Sequence, residues 1–344
     1  MRSSHRVSGW IAMCALSIGI ASAKDLSGQE RATAAGSGLV GSPAPRLSLT
    51  TIDGQKIDLG ALYGKKAVYL KFWATWCVPC REQMPHFQRT YEGAGSDLAV
   101  IAINAGFNDS LGEIRTFRQR LGISMPIVMD DGRLAEAFNL RVTPQHIVIG
   151  RDGRILYVGH LADAQLDAAV AAARSTPGGA PSGATAGAAA TRVAHKVQVG
   201  ERWPAATLQT LDGHAFHVRS GKPGQPTVFL FLSPWCESYL ATTRPTVSAN
   251  CRAAREQVEK LARDSHVRWL GIASGLWASP DDLRDYQAEH KIGIPLTLDE
   301  SGALFRQFGV MDTPTIVLVD AQGKVIRRVE AGEVGDLPGA IAAL

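Results

Sequence analysis

Val68-Tyr-Leu-Lys-Phe-Trp73 leads through Ala74-Thr75 into Trp76-Cys77-Val-Pro-Cys80, and residues 81–91 follow. The first stretch is short, apolar and rich in β-formers, which predicts a buried strand. Residues 81–91 read as a helix. The two cysteines therefore stand where a helix amino terminus offers unpaired N–H groups and a partial positive charge. A thiolate is stabilised there, so Cys77 is expected to be the attacking sulfur. Pro79 fits the first helical turn, where its missing N–H costs nothing. Cys80, three residues on, shares that side of the helix and can resolve a mixed disulfide. A static bridge and a zinc half-site are the alternatives. Zinc would need a second Cys/His pair at ligand spacing, which this half of the chain lacks. The expectation is a redox-active dithiol with no metal and no cofactor.

Outward from this junction, Leu98-Ala-Val-Ile-Ala-Ile-Asn104 reads as a second strand and residues 111–121 as a second helix. Ile127-Val-Met129 is a short strand. Gln145-His-Ile-Val-Ile149 and Arg154-Ile-Leu-Tyr-Val158, joined across Gly150-Arg-Asp-Gly153, form a hairpin, and residues 162–173 a closing helix. Strand–helix alternation ending in a hairpin predicts an α/β unit with a central mixed sheet flanked by helices.

The chain carries this unit twice. Val40-Gly41 and Thr51-Ile-Asp-Gly54 recur as Val199-Gly200 and Thr210-Leu-Asp-Gly213, and Trp76-Cys77 as Trp235-Cys236, at a constant offset of 159. Thr143-Pro144 recurs as Thr313-Pro314 and Phe138 as Phe308 at an offset of 170. Between the copies, residues 176–197 are rich in Gly, Ala, Pro and Ser and have no hydrophobic periodicity, which reads as a flexible linker. The 344 residues thus divide into domain one (40–175) and domain two (198–344), a length that suits two cores.

The amino terminus reads as an address. Arg2, His5 and Arg6 precede an apolar run from Trp10 to Ile20, and Ala21-Ser-Ala23 supplies a small-x-small cleavage pattern. Residues 1–23 are expected to be a signal peptide and 24–39 an N-terminal tail. A retained anchor is the alternative, though the apolar run is short for a bilayer. Without Arg2 and Arg6 the chain has 34 basic against 32 acidic residues and no Lys/Arg run, which excludes a nucleic-acid footprint. Of five cysteines Cys14 lies in the leader, leaving Cys77, Cys80, Cys236 and Cys251 in a compartment where disulfides persist.

Phe72-Trp-Ala-Thr-Trp-Cys-Val-Pro-Cys-Arg81, Met84-Pro85 and Thr143-Pro144 resemble TlpA/ResA-type thioredoxin-fold thiol–disulfide oxidoreductases. Residues 42–59 resemble that family's amino-terminal extension. The resemblance implies two tandem thioredoxin-like folds, the second degenerate, and a periplasmic location. It also implies that Pro144 is a cis-proline facing the dithiol, exposing the Thr143 backbone to an extended substrate segment. Cysteine-containing exported proteins would be the partners, with a membrane thiol reductase of the DsbD type as electron donor. Two positions depart from the family. Gln83 stands where a Glu is usual, with Glu82 one residue early, which puts a role in cytochrome c maturation in doubt. Lys71 occupies the strand position where many thioredoxin folds carry an acid or Asn. Either its ammonium lies near the sulfurs and favours the thiolate, or its stem follows the sheet and its charge reaches water or Glu82. Trp76 joins Lys71 and Glu82 as a possible modulator, and His86 reads as a surface residue.

Domain two keeps Trp235-Cys236 but has Tyr239 where the resolving cysteine belongs. Cys251 opens the next helix, so residues 237–248 read as an insertion that a Cys236–Cys251 bridge would close, with Pro314 opposite. That bridge is expected to be structural, a second redox site being the alternative. Ser248-Ala-Asn-Cys251 partly fits a peroxidatic pattern, but Arg occupies 244 where its proline belongs. The function expected is disulfide reduction through Cys77 and Cys80. Its alternatives are an oxidase, a thiol peroxidase, or a domain two that acts as a client-binding adaptor.

Overall fold

The computed structural model describes residues 27–179, 196–218, 225–263 and 266–344. Domain one contains β3 (Ala67–Trp73), β4 (Leu98–Asn104), β5 (Ile127–Met129), β6 (Gln145–Ile149) and β7 (Ile155–Gly159), in sheet order β5-β4-β3-β6-β7. Before them come α1 (Gly28–Gly36), the small hairpin β1 (Ser48–Thr50) and β2 (Lys56–Asp58), and α2 (Leu59–Leu62). The helices α3 (Val78–Glu92), α4 (Leu111–Leu121), α5 (Arg133–Ala137) and α6 (Ala164–Ser175) follow in the connections and at the end. β3 pairs parallel with β4 and antiparallel with β6. Every residue of β3 is buried, as a central strand covered on both faces must be. Its alternating side chains feed two cores: Val68, Leu70 and Phe72 on one face, Tyr69 and Trp73 with Met84 and Phe87 of α3 on the other.

Domain two repeats the plan. Its hairpin is β8 (Ala206–Gln209) and β9 (Ala215–Val218); its sheet is β12-β11-β10-β13-β14, built from β10 (Thr227–Leu232), β11 (Arg268–Ser274), β12 (Leu296–Asp299), β13 (Thr315–Val319) and β14 (Val325–Val329). Its helices are α7 (Cys236–Thr243), α8 (Pro245–Leu261), α9 (Pro280–Glu289), α10 (Ala303–Gln307) and α11 (Leu337–Ala342).

Four expectations are changed or left aside. Part of the tail at 24–39 is the helix α1, started by a capping box between Ser27 and Glu30. Residues 237–248 are not an open loop but α7 and the first turn of α8, broken at Arg244. Pro245 enforces that break, because it bars the helical conformation for the residue before it. The signal peptide at 1–23 and most of the linker, residues 180–195, lie outside the described residues.

The two domains meet across their site-bearing ends in a reciprocal way. Asn108 N–H donates to Met311 O and Trp277 N–H to Arg141 O, both at 2.8 Å. Asn108 and Trp277 are equivalent loop residues, and both adopt the left-handed region, at φ 51° and 58°. Trp76 stacks on its counterpart Trp235 with ring centroids 4.9 Å apart. One apolar cluster therefore runs through both domains.

Candidate active site

Cys77 is the N-cap of α3, with its Sγ 3.2 Å from the Cys80 N–H and bonded to Cys80. The cap position follows from the sequence. Pro79 suits the first turn, where its missing N–H costs nothing, and Val78 opens a helix that runs on through a second proline, Pro85. Cys77 Sγ lies 3.3 Å from the Thr143 carbonyl oxygen, and the Thr143–Pro144 peptide is cis, as is Thr313–Pro314. The dithiol, the helix terminus and the proline loop thus converge as the sequence implied. Trp76 Nε1 donates to Phe107 O at 2.8 Å, which fixes the residue before Cys77 to the β4–α4 loop. Thr75 and Asn104 bind Asp109 from two sides: Thr75 N–H and Asn104 Nδ2 donate to Oδ2 at 2.8 and 2.7 Å, and Thr75 Oγ1 donates to Oδ1. Burial raises the Asp109 carboxyl, opposed by those donors and by the Arg244 charge.

Beneath the dithiol lies a buried polar layer. Lys71 is fully buried, and its Nζ lies 3.5 Å from Cys80 O and 5.5 Å above the Phe87 ring. Desolvation pushes its amine down to about 7. Glu82 is exposed, so the reading that carries the Lys71 charge to water or Glu82 is corrected. The geometry of β3 decides this: residues 69, 71 and 73 point under α3, while Glu82 lies on its outer surface. On β6, His146 is paired in register with Lys71. Its ring contacts Tyr69 Oη at 2.8 Å and Gln83 Oε1 at 2.9 Å. Gln83 Nε2 donates to His160 O, and the His160 ring contacts Pro144 O at 2.7 Å. Burial, followed by the Lys71 charge, holds His146 well below the ordinary imidazole range, and burial also lowers His160. Gln83 thus ties the helix to the proline loop, a positioning task an amide performs without a charge. His86 is a surface residue paired with Asp167 at 2.9 Å.

Sequence reasoning missed His146, His160, Asp109 and Asn108. His146 follows Thr143-Pro144 closely, which was a usable signal; its meeting with Gln83 depends on how α3 lies over the sheet, which no local pattern gives.

In domain two, Cys236 begins α7, and Trp235 Nε1 donates to Leu276 O at 2.7 Å, repeating Trp76. Cys236 and Cys251 are bonded, with Cα atoms 6.2 Å apart. The offset of 159 puts Cys236 at the place of Cys77, but relative to the proline loop the two cysteines are exchanged. Cys251 Sγ is the one beside the proline loop, 3.6 Å from Thr313 O, because α7 carries the chain away and α8 brings Cys251 back. Leu230 replaces Lys71, and among the described residues of this copy no lysine is buried. Ser248 Oγ donates to Glu237 O, and Arg244 pairs with Asp109 of domain one. Among the described residues no group of His, Cys, Asp and Glu could hold a metal ion.

The AhpC/TSA family matches residues 40–158 and the Redoxin family residues 198–344. Over 120 residues the chain is 37% identical to the thiol-disulfide oxidoreductase ResA of Halalkalibacterium halodurans, a match covering 34% of this chain and 66% of the relative. It is 32% identical to the thioredoxin-like protein YneN of Bacillus subtilis over 130 residues, covering 37% of this chain and 76% of that protein. A crystal structure of a thioredoxin-family thiol:disulfide interchange protein from Chlorobium tepidum is 30% identical, covering 39% of this chain and 96% of that one with a TM-score of 0.36.

Proposed function

Because the chain belongs to the ResA-type, thioredoxin-like thiol–disulfide oxidoreductases, we propose that it reduces disulfides of exported proteins through Cys77 and Cys80. The observation that carries this reading is the position of Cys77: N-cap of α3, with its sulfur beside Thr143 O. In the reduced protein the Cys77 thiolate attacks one client sulfur and expels the other, which takes up a proton as a thiol. Cys80 then gives up its proton and attacks Cys77 Sγ. The second client thiolate leaves, and Cys77–Cys80 is oxidised as the client gains two electrons and two protons. The helix terminus favours the thiolate of Cys77 at each turn. A membrane reductase of the DsbD type would restore the dithiol.

Export to the periplasm is part of the proposal and rests on the leader pattern of residues 1–23. Among the described residues no helix is long and apolar enough to cross a membrane. Equilibrating Cys77/Cys80 in glutathione buffers tests the direction. A potential near that of thioredoxin, about −270 mV, fits a reductase. A value near that of DsbA, about −120 mV, would replace it with an oxidase.

A further inference from the structure

The dithiol that should meet clients is covered. Cys77 is 1% exposed and Cys80 fully buried, although α3 itself lies at the surface of domain one. Domain two lies over the loop that carries the sulfur, and it takes up the polar groups around that loop one by one. Val78 N–H, which the start of α3 leaves without a partner inside the helix, donates to Tyr239 Oη at 3.1 Å. Trp277 N–H donates to Arg141 O, and its Nε1 donates to Thr143 Oγ1 at 3.2 Å. Arg244 Nη2 donates to Thr75 Oγ1 at 2.6 Å and pairs with buried Asp109 at 2.9 Å, while its Nη1 pairs with Glu113. Trp235 covers Trp76. These are the groups an extended segment would use at Cys77: a donor at the helix end, acceptors on the proline loop and an aromatic face.

Tyr239 and Arg244 also explain two oddities of the sequence. Tyr239 stands where a second copy of the dithiol would have its resolving cysteine, and Arg244 where a peroxidatic proline would stand. Both residues serve domain one instead. At the edge of the seam, Trp76, Pro79, Trp235, Tyr239 and Trp277 line a cleft of about 870 Å³. It adjoins the Cys77 loop and offers aromatic rings at one end, while Arg31, Arg252, Arg255, Asp282, Asp285 and Glu289 make its other walls charged.

We propose that Tyr239, Arg244 and Trp277 determine which clients Cys77 serves: they hold the place of an extended, cysteine-containing segment with an aromatic flank, and such a segment enters through the cleft and displaces them. A small thiol or disulfide cannot replace these contacts and reacts only with the fraction of molecules in which the domains have parted. Its apparent rate is scaled down by that fraction, while a segment that gains the cleft contacts recovers part of the loss. The inference rests on the thiol–disulfide reading of Cys77/Cys80 but not on its direction.

The test uses the oxidised full chain and follows the opening of Cys77–Cys80 by alkylation and mass mapping. One attacking thiol is reduced glutathione; the other is an extended ten-residue peptide with a single cysteine next to tryptophan. The wild type should react faster with the peptide, per thiolate, than with glutathione. Trp277→Ala and Arg244→Glu, on different elements, should each raise the glutathione rate about tenfold and the peptide rate less, so that selectivity collapses. Small-angle scattering should show the domains moving apart in both variants. Tyr239→Phe, which removes one hydroxyl, should move both rates in the same direction by a smaller factor. Unchanged glutathione rates in variants whose domains have separated would overturn the proposal, as would equal wild-type rates with the two thiols. If one variant loses its folded-state circular dichroism, the other two carry the comparison. Failure to reduce any client disulfide, with the rate pattern intact, would count against the functional reading and leave the gate standing.

Discussion

At Cys77 a backbone terminus is turned into a chemical preference. The sulfur caps α3, so unpaired N–H dipoles stabilise its charge, whereas Cys80 lies within the first turn and is fully buried. Cys77→Ser should therefore abolish exchange, and Cys80→Ser should accumulate a client mixed disulfide visible on non-reducing gels. Alkylation of Cys80 before Cys77 at low pH would reverse these roles. The pair was legible because a strand, a dithiol and a helix follow one another locally.

Lys71 could be located in the sequence, but its environment could not be read. Its alternatives, ammonium near the sulfurs or charge led to the surface, depend on where α3 lies over β3. The structure buries it completely and lowers its pKa from the usual 10.5 to about 7 by desolvation. Below pH 7 folded and unfolded chains both carry the proton, and folding bears the whole cost of burying a charge. Between that pH and about 10.5 the unfolded chain binds a proton that the folded one lacks, so stability from this group rises with pH. Lys71→Met removes both the penalty and the slope. The variant should be more stable than wild type at pH 6, and its advantage should shrink by about 1 kcal/mol per pH unit through this window. Urea midpoints at pH 6 and 9.5 check this; a constant difference would contradict it.

Among the elements, the central strands and first helices were legible because hydrophobic periodicity is a local property. Residues 98–104 and 111–121 in the sequence became β4 and α4 without change. The segment after Cys236 was not, since an insertion removes the alignment with domain one. It folds as α7 and the start of α8, held by Glu237, which is buried against Arg255 at 2.7 Å and accepts from Tyr286 Oη at 3.2 Å. Burial opposes the Glu237 charge, but the Arg255 hydrogen bonds and charge hold its carboxyl below the ordinary range. The Cys236–Cys251 bridge ties the start of α7 to α8. Cys236→Ser with Cys251→Ser should cost on the order of 3 kcal/mol, the loop-closure value for a segment of this length. It should leave the Cys77/Cys80 potential unchanged. Chemical denaturation of the double variant measures the first and a glutathione titration the second; a shifted potential would make this bridge part of the redox chemistry.

For the whole molecule, a duplication read from offsets has become an internal pair, with each copy bearing on the other's site. The sequence announced two copies. How they face each other depends on contacts between residues more than 100 positions apart, and no repeat pattern encodes those. Asn108 shows the consequence most clearly. It belongs to domain one and is nearly buried, yet its Oδ1 accepts from Thr313 N–H at 2.8 Å, its Nδ2 donates to Thr313 Oγ1 at 3.3 Å, and its own N–H binds Met311 O. The proline loop of domain two thus finds its hydrogen-bond partners in domain one. Asn108→Ala deletes the side-chain acceptor and leaves a buried N–H unpaired, a loss of about 1–3 kcal/mol. Alanine is also a poorer fit than asparagine to the left-handed backbone at this position. The change lies in domain one, but the lost protection should appear in domain two. Amide exchange at Thr313 and along β13 should speed up, while β3 and β4 keep their wild-type protection. Acceleration confined to domain one would mean that the two copies are stable independently of each other.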